Sequence, residues 1–234
     1  MKAILLAGGL GTRLKGVIGA VPKPMAPIGD SPFLGYLFTF FKEQGVKEFI
    51  VCTGHGSDAI RGFFGDGEGF GLSVRYTVER ELLGTGGAIK LAEEWIDSEH
   101  FLVCNGDTYF ELNLQEMIRF HESHGGIGTV ALAYKENPDR YGKVVCDGEG
   151  RITSFREKTV GKTPGYINGG LYAFRRDLFL HIPAGRICSL EREILPSLIR
   201  YGLRGYPVDG YFIDIGIPED YEKANRELPA RRAL

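Results

Sequence analysis

The chain opens on an apolar run, Lys2 to Ala7, that stops abruptly at Gly8 and Gly9. Four more short runs rich in β-branched or aromatic residues follow: Glu48 to Cys52, Leu72 to Thr77, Phe101 to Cys104 and Thr129 to Ala133. Between them the apolar spacing turns helical. Unbroken apolar runs mark strands buried on both faces, so the pattern predicts βαβ units and a mainly parallel sheet flanked by helices. The clearest helix puts Phe33, Leu34, Leu37, Phe38 and Phe41 on one stripe, with Ser31 as its expected N-cap, Pro32 in its first turn and Gly45 as its stop. Further helices are expected at Ser57 to Phe64, Gly86 to Ile96, Asn113 to Ser123, Leu190 to Tyr201 and Pro218 to Glu227. From Tyr141 to Phe174 the pattern is strand-like and broken by Asp147-Gly148-Glu149-Gly150 and by the stretch 161–165, as expected for a small β-hairpin lobe added to the sheet. The expectation is one α/β domain spanning 1–234, with a short tail at 228–234.

Composition narrows the function classes. A chain of 234 residues that is 43% apolar and 25% charged can bury a sizeable core and is not a disordered or disulfide-scaffold protein. Lys+Arg 28 against Asp+Glu 30 gives a net charge of -2, so neither nucleic acid nor an anionic membrane is an expected partner. A polyanionic ligand would have to meet a local concentration of positive charge. Cys52, Cys104, Cys146 and Cys188 form no CxxC pair and read as reduced thiols, and no apolar run approaches the ~20 residues of a membrane span. A cytoplasmic protein is expected. Glycine is the outlier, at 34 residues where ~7% usage would give about 16.

Several turns carry chemistry. Leu5-Leu6-Ala7-Gly8-Gly9-Leu10-Gly11-Thr12-Arg13-Leu14 runs from a strand into a glycine-rich turn, at the strand end where open α/β sheets bind ligands. Backbone N–H groups can converge on phosphate there, and Arg13 can add a bidentate guanidinium. A dinucleotide fingerprint would need glycine where Leu14 stands, and the nearest approach to a Walker A loop, Gly161-Lys162-Thr163, has Arg156 at its upstream glycine position. Lys23 lies between Pro22 and Pro24, which restrict the backbone around a single cation. Asn105-Gly106-Asp107 ends another apolar strand, and Asp214 is embedded in Phe212-Ile213-Asp214-Ile215-Gly216. Two aspartates delivered by separate strand ends suit Mg²⁺, which accepts one or two carboxylates plus phosphate oxygens and water; turn-capping roles are the plainer alternative, weaker for Asp214. His121 and His124 share a helix at i, i+3, and a solvated helix face is favoured over a metal pair.

Six ordered blocks then carry a resemblance: the Gly8–Leu14 segment with Pro22-Lys23-Pro24, Gly84-Thr85-Gly86-Gly87-Ala88, Asn105-Gly106-Asp107, Glu157-Lys158 and Asp214-Ile215-Gly216. Together they resemble the sugar-1-phosphate nucleotidyltransferase family, from Met1 to about Glu227. The resemblance implies a Rossmann-like mixed sheet with a nucleotide-binding half at about 1–110 and a sugar-binding half at about 111–227. It implies an enzyme that joins a nucleoside triphosphate to a sugar 1-phosphate and releases pyrophosphate, with Mg²⁺ as cofactor. Homo-oligomers are frequent among such proteins.

Carried over residue by residue, the resemblance makes Arg13, Lys23, Asp107 and Asp214 the catalytic set, with Mg²⁺ on the two aspartates. Ala7, Gly8, Gly9, Gly11, Thr12, Arg13, Gly84, Thr85, Gly86 and Asn105 would contact the nucleotide. Gly142, Glu157, Lys158, Asn168 and Gly169 would contact the sugar phosphate. The segment from Lys15 to Pro27 and the closing Asp214-Ile215-Gly216-Ile217-Pro218-Glu219-Asp220-Tyr221 are similar to the branch that transfers a guanylyl group from GTP to a manno-configured heptose 1-phosphate. Mannose-1-phosphate guanylyltransferases and short uridylyltransferases are the alternatives. A non-catalytic nucleotide-sugar sensor is the alternative of a different class, opposed by the joint presence of the four catalytic residues. Leu82 departs from the proline that many relatives carry before the Leu-Gly-Thr-Gly-Gly block.

Overall fold

The computed structural model describes residues 1–9, 11–19, 21–54, 56–138, 141–156 and 163–231, with Thr12, Lys15 and Arg156 as backbone only. Its centre is a nine-stranded sheet. Four parallel strands lie in the order His100–Asn105, Lys2–Leu6, Glu48–Thr53 and Ser73–Val78. The first strand is therefore flanked on one side by the second in the chain and on the other by a later one. At that reversal the two crossover connections diverge and leave a crevice beyond the strands' carboxyl ends.

Successive residues of the first strand are buried in opposite cores, as its unbroken apolar run required. Ala3, Leu5 and Ala7 belong to one core, together with Phe38 and Phe41 of the helix Phe33–Glu43; Ile4 belongs to the opposite core, with Ala88 and Ile89 of the helix Gly84–Leu91. Phe38 meets Phe49 edge-on at 4.8 Å, and truncating such a fully buried ring to alanine costs about 3–5 kcal/mol.

Beyond His100–Asn105 the sheet turns antiparallel. Gly165–Arg175 pairs with it, with Gly128–Lys135 and, at Ile167, with Lys143–Cys146, and its register shifts between Asn168 and Tyr172. The hairpin of Lys143–Cys146 and Ile152–Arg156 closes this end, and Leu203–Val208 adds a parallel strand beside Gly128–Lys135. The expected hairpin lobe is thus an extension of the main sheet.

Three local expectations change. Ser31 does not cap its helix: Ser31–Pro32 pairs with Pro27–Ile28, and the first helical N–H, that of Phe33, donates to the Ala26 carbonyl at 2.9 Å. The helix expected at Gly86 to Ile96 begins at Gly84 and passes after Leu91 into a short turn, Glu93–Trp95. His121 is not solvated. It is 1% exposed, with Nε2 at 3.1 Å from His100 Nδ1 and Nδ1 at 3.0 Å from Thr129 Oγ1, while His124 is exposed as expected. All four cysteines are free thiols. Among the described residues no helix is long and apolar enough to cross a membrane.

Candidate functional site

The crevice is built by backbone contact between its two rims. Gly106 N–H donates to the Leu6 carbonyl at 2.9 Å, and a Cβ at Gly106 would lie 2.6 Å from that same oxygen. Only glycine lets the tip of the His100–Asn105 strand sit against the end of the first strand. The carboxylate of Asp107 consequently projects beside the glycine-rich turn. Lys23, held in a short turn between Pro22 and Pro24, is 9% exposed and donates from Nζ to Asp107 Oδ2 at 2.8 Å.

Asp214 reaches the same place from another direction. Phe212–Asp214 pairs antiparallel with Thr108–Phe110, setting Asp214 opposite Thr108, and Ile215 N–H donates to the Asp107 carbonyl at 3.0 Å. Burial, followed by the charge of Asp107, pushes the Asp214 carboxyl up to about 6; Lys23, the Gly216 N–H and Arg13 oppose that rise. The Gly216 N–H lies 2.7 Å from Asp214 Oδ1, so the turn-capping role exists alongside the burial. Arg13 Nη2 lies 3.6 Å from the point where a Cβ at Gly216 would stand. Arg13, Lys23, Asp107 and Asp214 therefore converge, although they lie as much as 201 positions apart in the chain.

Two repelling carboxylates with one lysine and one arginine are suited to a divalent cation. Among the described residues no group of three or more His, Cys, Asp or Glu side chains could enclose a metal. A pair of carboxylates leaves positions for phosphate oxygens and water, the donor set that Mg²⁺ takes beside nucleotides.

Two cavities meet at this cluster. The first, about 340 Å³, is lined by Gly8, Gly9, Gly11, Lys23, Gly84, Thr85 and Asp107. The second, about 420 Å³, is lined by Tyr141, Gly142, Asn168, Gly170, Phe212 and Asp214. Asn105 and Glu191 belong to both walls. Asn105 Oδ1 is buried with no hydrogen-bond partner among the described residues, an acceptor that a bound ligand would satisfy.

Other expected site residues stand behind these walls or outside the described residues. Ala7 is buried and donates its N–H to Cys52 at 2.8 Å. Gly86 N–H donates to the Cys188 carbonyl at 2.9 Å, and Gly169 packs against the Phe110 ring. Neither glycine is among the described residues lining these two cavities; Gly170 lines the second. Thr12 is present as backbone only, and Glu157 and Lys158 lie outside the described residues. Sequence reasoning missed Glu79, Lys143, Arg192 and Glu191. Glu79 lines the first cavity and accepts from Leu83 N–H at 2.9 Å; burial raises its carboxyl above the usual range. Nothing in the local pattern around these residues distinguishes them from solvated charges.

The family model for nucleotidyl transferases matches residues 2–231. A D-glycero-alpha-D-manno-heptose 1-phosphate guanylyltransferase of Campylobacter jejuni is 42% identical over 94% of this chain and 97% of its own length. One from Aneurinibacillus thermoaerophilus is 40% identical, covering 97% of this chain and 98% of the relative. The crystal structure of HddC from Yersinia pseudotuberculosis complexed with GMP-PN superimposes with a TM-score of 0.86 at 36% identity, over 97% of this chain and 99% of that one.

Proposed function

The chain belongs to the nucleotidyl transferase family, and from that premise we propose that it transfers a guanylyl group from GTP to D-glycero-α-D-manno-heptose 1-phosphate, forming GDP-heptose and pyrophosphate. The observation that carries the reading is the meeting of two cavities at a cluster of two cations and two carboxylates.

The chemistry follows from charge. An oxygen of the sugar phosphate attacks the α-phosphorus in line, one P–O bond forms, and the bond to the β-phosphate oxygen breaks with its electron pair leaving on pyrophosphate. The nucleophile is already ionised, so no side chain has to remove a proton. The obstacle is repulsion: a single pair of unit charges at 4 Å repels by about 4 kcal/mol at an effective dielectric near 20. Arg13 acts on the triphosphate and the charge developing on pyrophosphate, and Lys23 on the phosphates that react. Asp107 and Asp214 would hold Mg²⁺, which when bound would supply neutralisation of phosphate charge. Catalysis then consists of positioning and preorganised electrostatics.

Gly8, Gly9, Gly11 and the Gly84–Thr85 corner offer backbone groups to the nucleotide in the first cavity. Gly142 and Asn168 face the sugar phosphate in the second, with Glu157 and Lys158 assigned to it from the sequence resemblance. Asn168 is held for this by its own strand, donating to the Tyr172 hydroxyl at 2.8 Å and accepting from Gly170 N–H at 2.9 Å.

Pyrophosphate release measured with GTP, ATP, CTP and UTP against heptose, mannose and glucose 1-phosphates tests the reading. GTP with the heptose phosphate should give the highest kcat/KM. A preference for mannose 1-phosphate would move the enzyme to its mannosyl relatives. Ligand binding without pyrophosphate from any pair would reduce the protein to a sensor and sink the proposal.

A further inference from the structure

Glu191 stands on the partition between the two cavities and has no part in the mechanism above. It sits in a π-helical turn, Leu190–Ile194, a rare form that occurs frequently at functional sites. One of its oxygens is fully engaged: Oε2 accepts from Thr85 Oγ1 at 2.7 Å and from Ser189 Oγ at 3.0 Å. Thr85 Oγ1 in turn accepts from Leu190 N–H at 2.8 Å. A hydroxyl has one proton, and that of Thr85 is spent on Glu191, so its side chain has no donor left for the nucleotide.

The turn that carries Glu191 is clamped to the nucleotide side. Cys188 N–H donates to the Leu83 carbonyl and the Cys188 carbonyl accepts from Gly86 N–H, both at 2.9 Å. A Cβ at Gly84 would lie 2.5 Å from that carbonyl, so the two segments touch backbone to backbone. Glu191 Oε2 is thereby fixed, while Oε1 has no hydrogen-bond partner among the described residues. A carboxylate oxygen on a cavity wall is a strong acceptor for a sugar hydroxyl.

We propose that Glu191 is a sugar-binding residue: its Oε1 accepts a pyranose hydroxyl of the sugar 1-phosphate in the second cavity, and its bond to Thr85 sets that hydroxyl in register with the nucleotide. This rests on the guanylyl-transfer reading and adds a specificity-determining contact to it.

The test uses the parent heptose 1-phosphate and its 2-, 3-, 4- and 6-deoxy analogues with the full-length enzyme and GTP. In the wild type, one deoxy position should lose about ten- to a hundredfold in kcat/KM, the range for a hydrogen bond to a charged group. In Glu191→Ala that one penalty should shrink to within about twofold, while the penalties at the other positions persist. In Glu191→Gln the KM for sugar phosphate should rise at least fivefold with the KM for GTP within twofold. Deoxy penalties in Glu191→Ala equal to those of the wild type would overturn the assignment, as would equal rises in both KM values, the mark of a merely structural role. If neither variant folds, the wild-type series alone decides against it when no deoxy analogue loses more than threefold. Absence of wild-type turnover on the parent sugar phosphate defeats the guanylyl-transfer reading instead, so the two failures are distinguishable.

Discussion

Gly106→Ala probes how tightly the crevice is built. The new Cβ would lie 2.6 Å from the Leu6 carbonyl oxygen and 3.2 Å from its carbon, both backbone atoms of a central strand that cannot turn aside. Ordinary contact begins near 3.4 Å, so the Asn105–Asp107 tip must retreat by about 0.8 Å, weakening the Gly106 N–H bond to Leu6. Asp107 moves with it, out of its present register with Lys23 and Asp214. A misplacement of about 1 Å at a reacting centre costs on the order of 10²-fold, or nearly 3 kcal/mol of barrier, whereas the lost hydrogen bond and strain cost about 1–3 kcal/mol of stability. Pyrophosphate release at saturating substrates should therefore show kcat reduced by about two orders of magnitude in a protein that still melts cooperatively. Gly62→Ala is the control: its Cβ meets nothing within 4 Å, it lies inside the helix Ser57–Phe64, and it should be neutral or stabilise by up to about 1 kcal/mol. A Gly106→Ala enzyme with kcat within twofold of wild type would refute the reasoning.

Asp107→Asn and Asp214→Asn should each reduce turnover by at least about 10²-fold with the fold intact, because the carboxylate pair for the divalent ion is broken; near-normal rates at low Mg²⁺ would contradict the assignment. Chelation should abolish turnover and leave the ligand-free melting temperature nearly unchanged, since Asp107 and Asp214 lie outside both hydrophobic cores. His121 gives a pH dependence unrelated to catalysis. Burial, then the neighbouring His100, Arg175 and His124, lower its pKa from 6.5 to about 4, so the unfolded chain binds this proton first. Its contribution is full above pH 6.5 and is lost as pH falls toward 4, amounting to about 3 kcal/mol at most. Denaturant titrations at pH 7.5 and 5 should show the loss in the wild type and a smaller one in His121→Gln.

The parallel sheet was legible because three of its strands carry the unbroken apolar stretches Ala3–Leu6, Phe49–Cys52 and Phe101–Cys104, while Ser73–Val78, interrupted by Arg75, shows through Val74 and Tyr76; the stripe of Phe33–Glu43 was legible because it is regular. Helix starts were less so. Ser31 has the right chemistry for a cap, but a two-residue ribbon with Pro27–Ile28 takes it, and a backbone carbonyl from Ala26 does the capping. His121 reads as solvated from its own helix alone, because the strand residue Thr129 and His100, which cover it, lie elsewhere in the chain. At the site, the glycine-rich turn, the proline-flanked lysine, the aspartate at a strand tip and the aspartate embedded in an apolar run were readable because each stands out from its local sequence. Glu79 and Glu191 break none; only the tertiary arrangement puts an ordinary glutamate on a cavity wall.

The most direct measurement is a crystal structure of the protein with a non-hydrolysable GTP analogue, heptose 1-phosphate and Mg²⁺ bound together. The account requires the analogue in the cavity beside Gly8 and Thr85, the sugar beside Tyr141 and Asn168, and the α-phosphorus within in-line reach of the sugar phosphate over Lys23, Asp107 and Asp214. Reacting phosphates found away from those three side chains, or both substrates bound in other surfaces of the molecule, would contradict it.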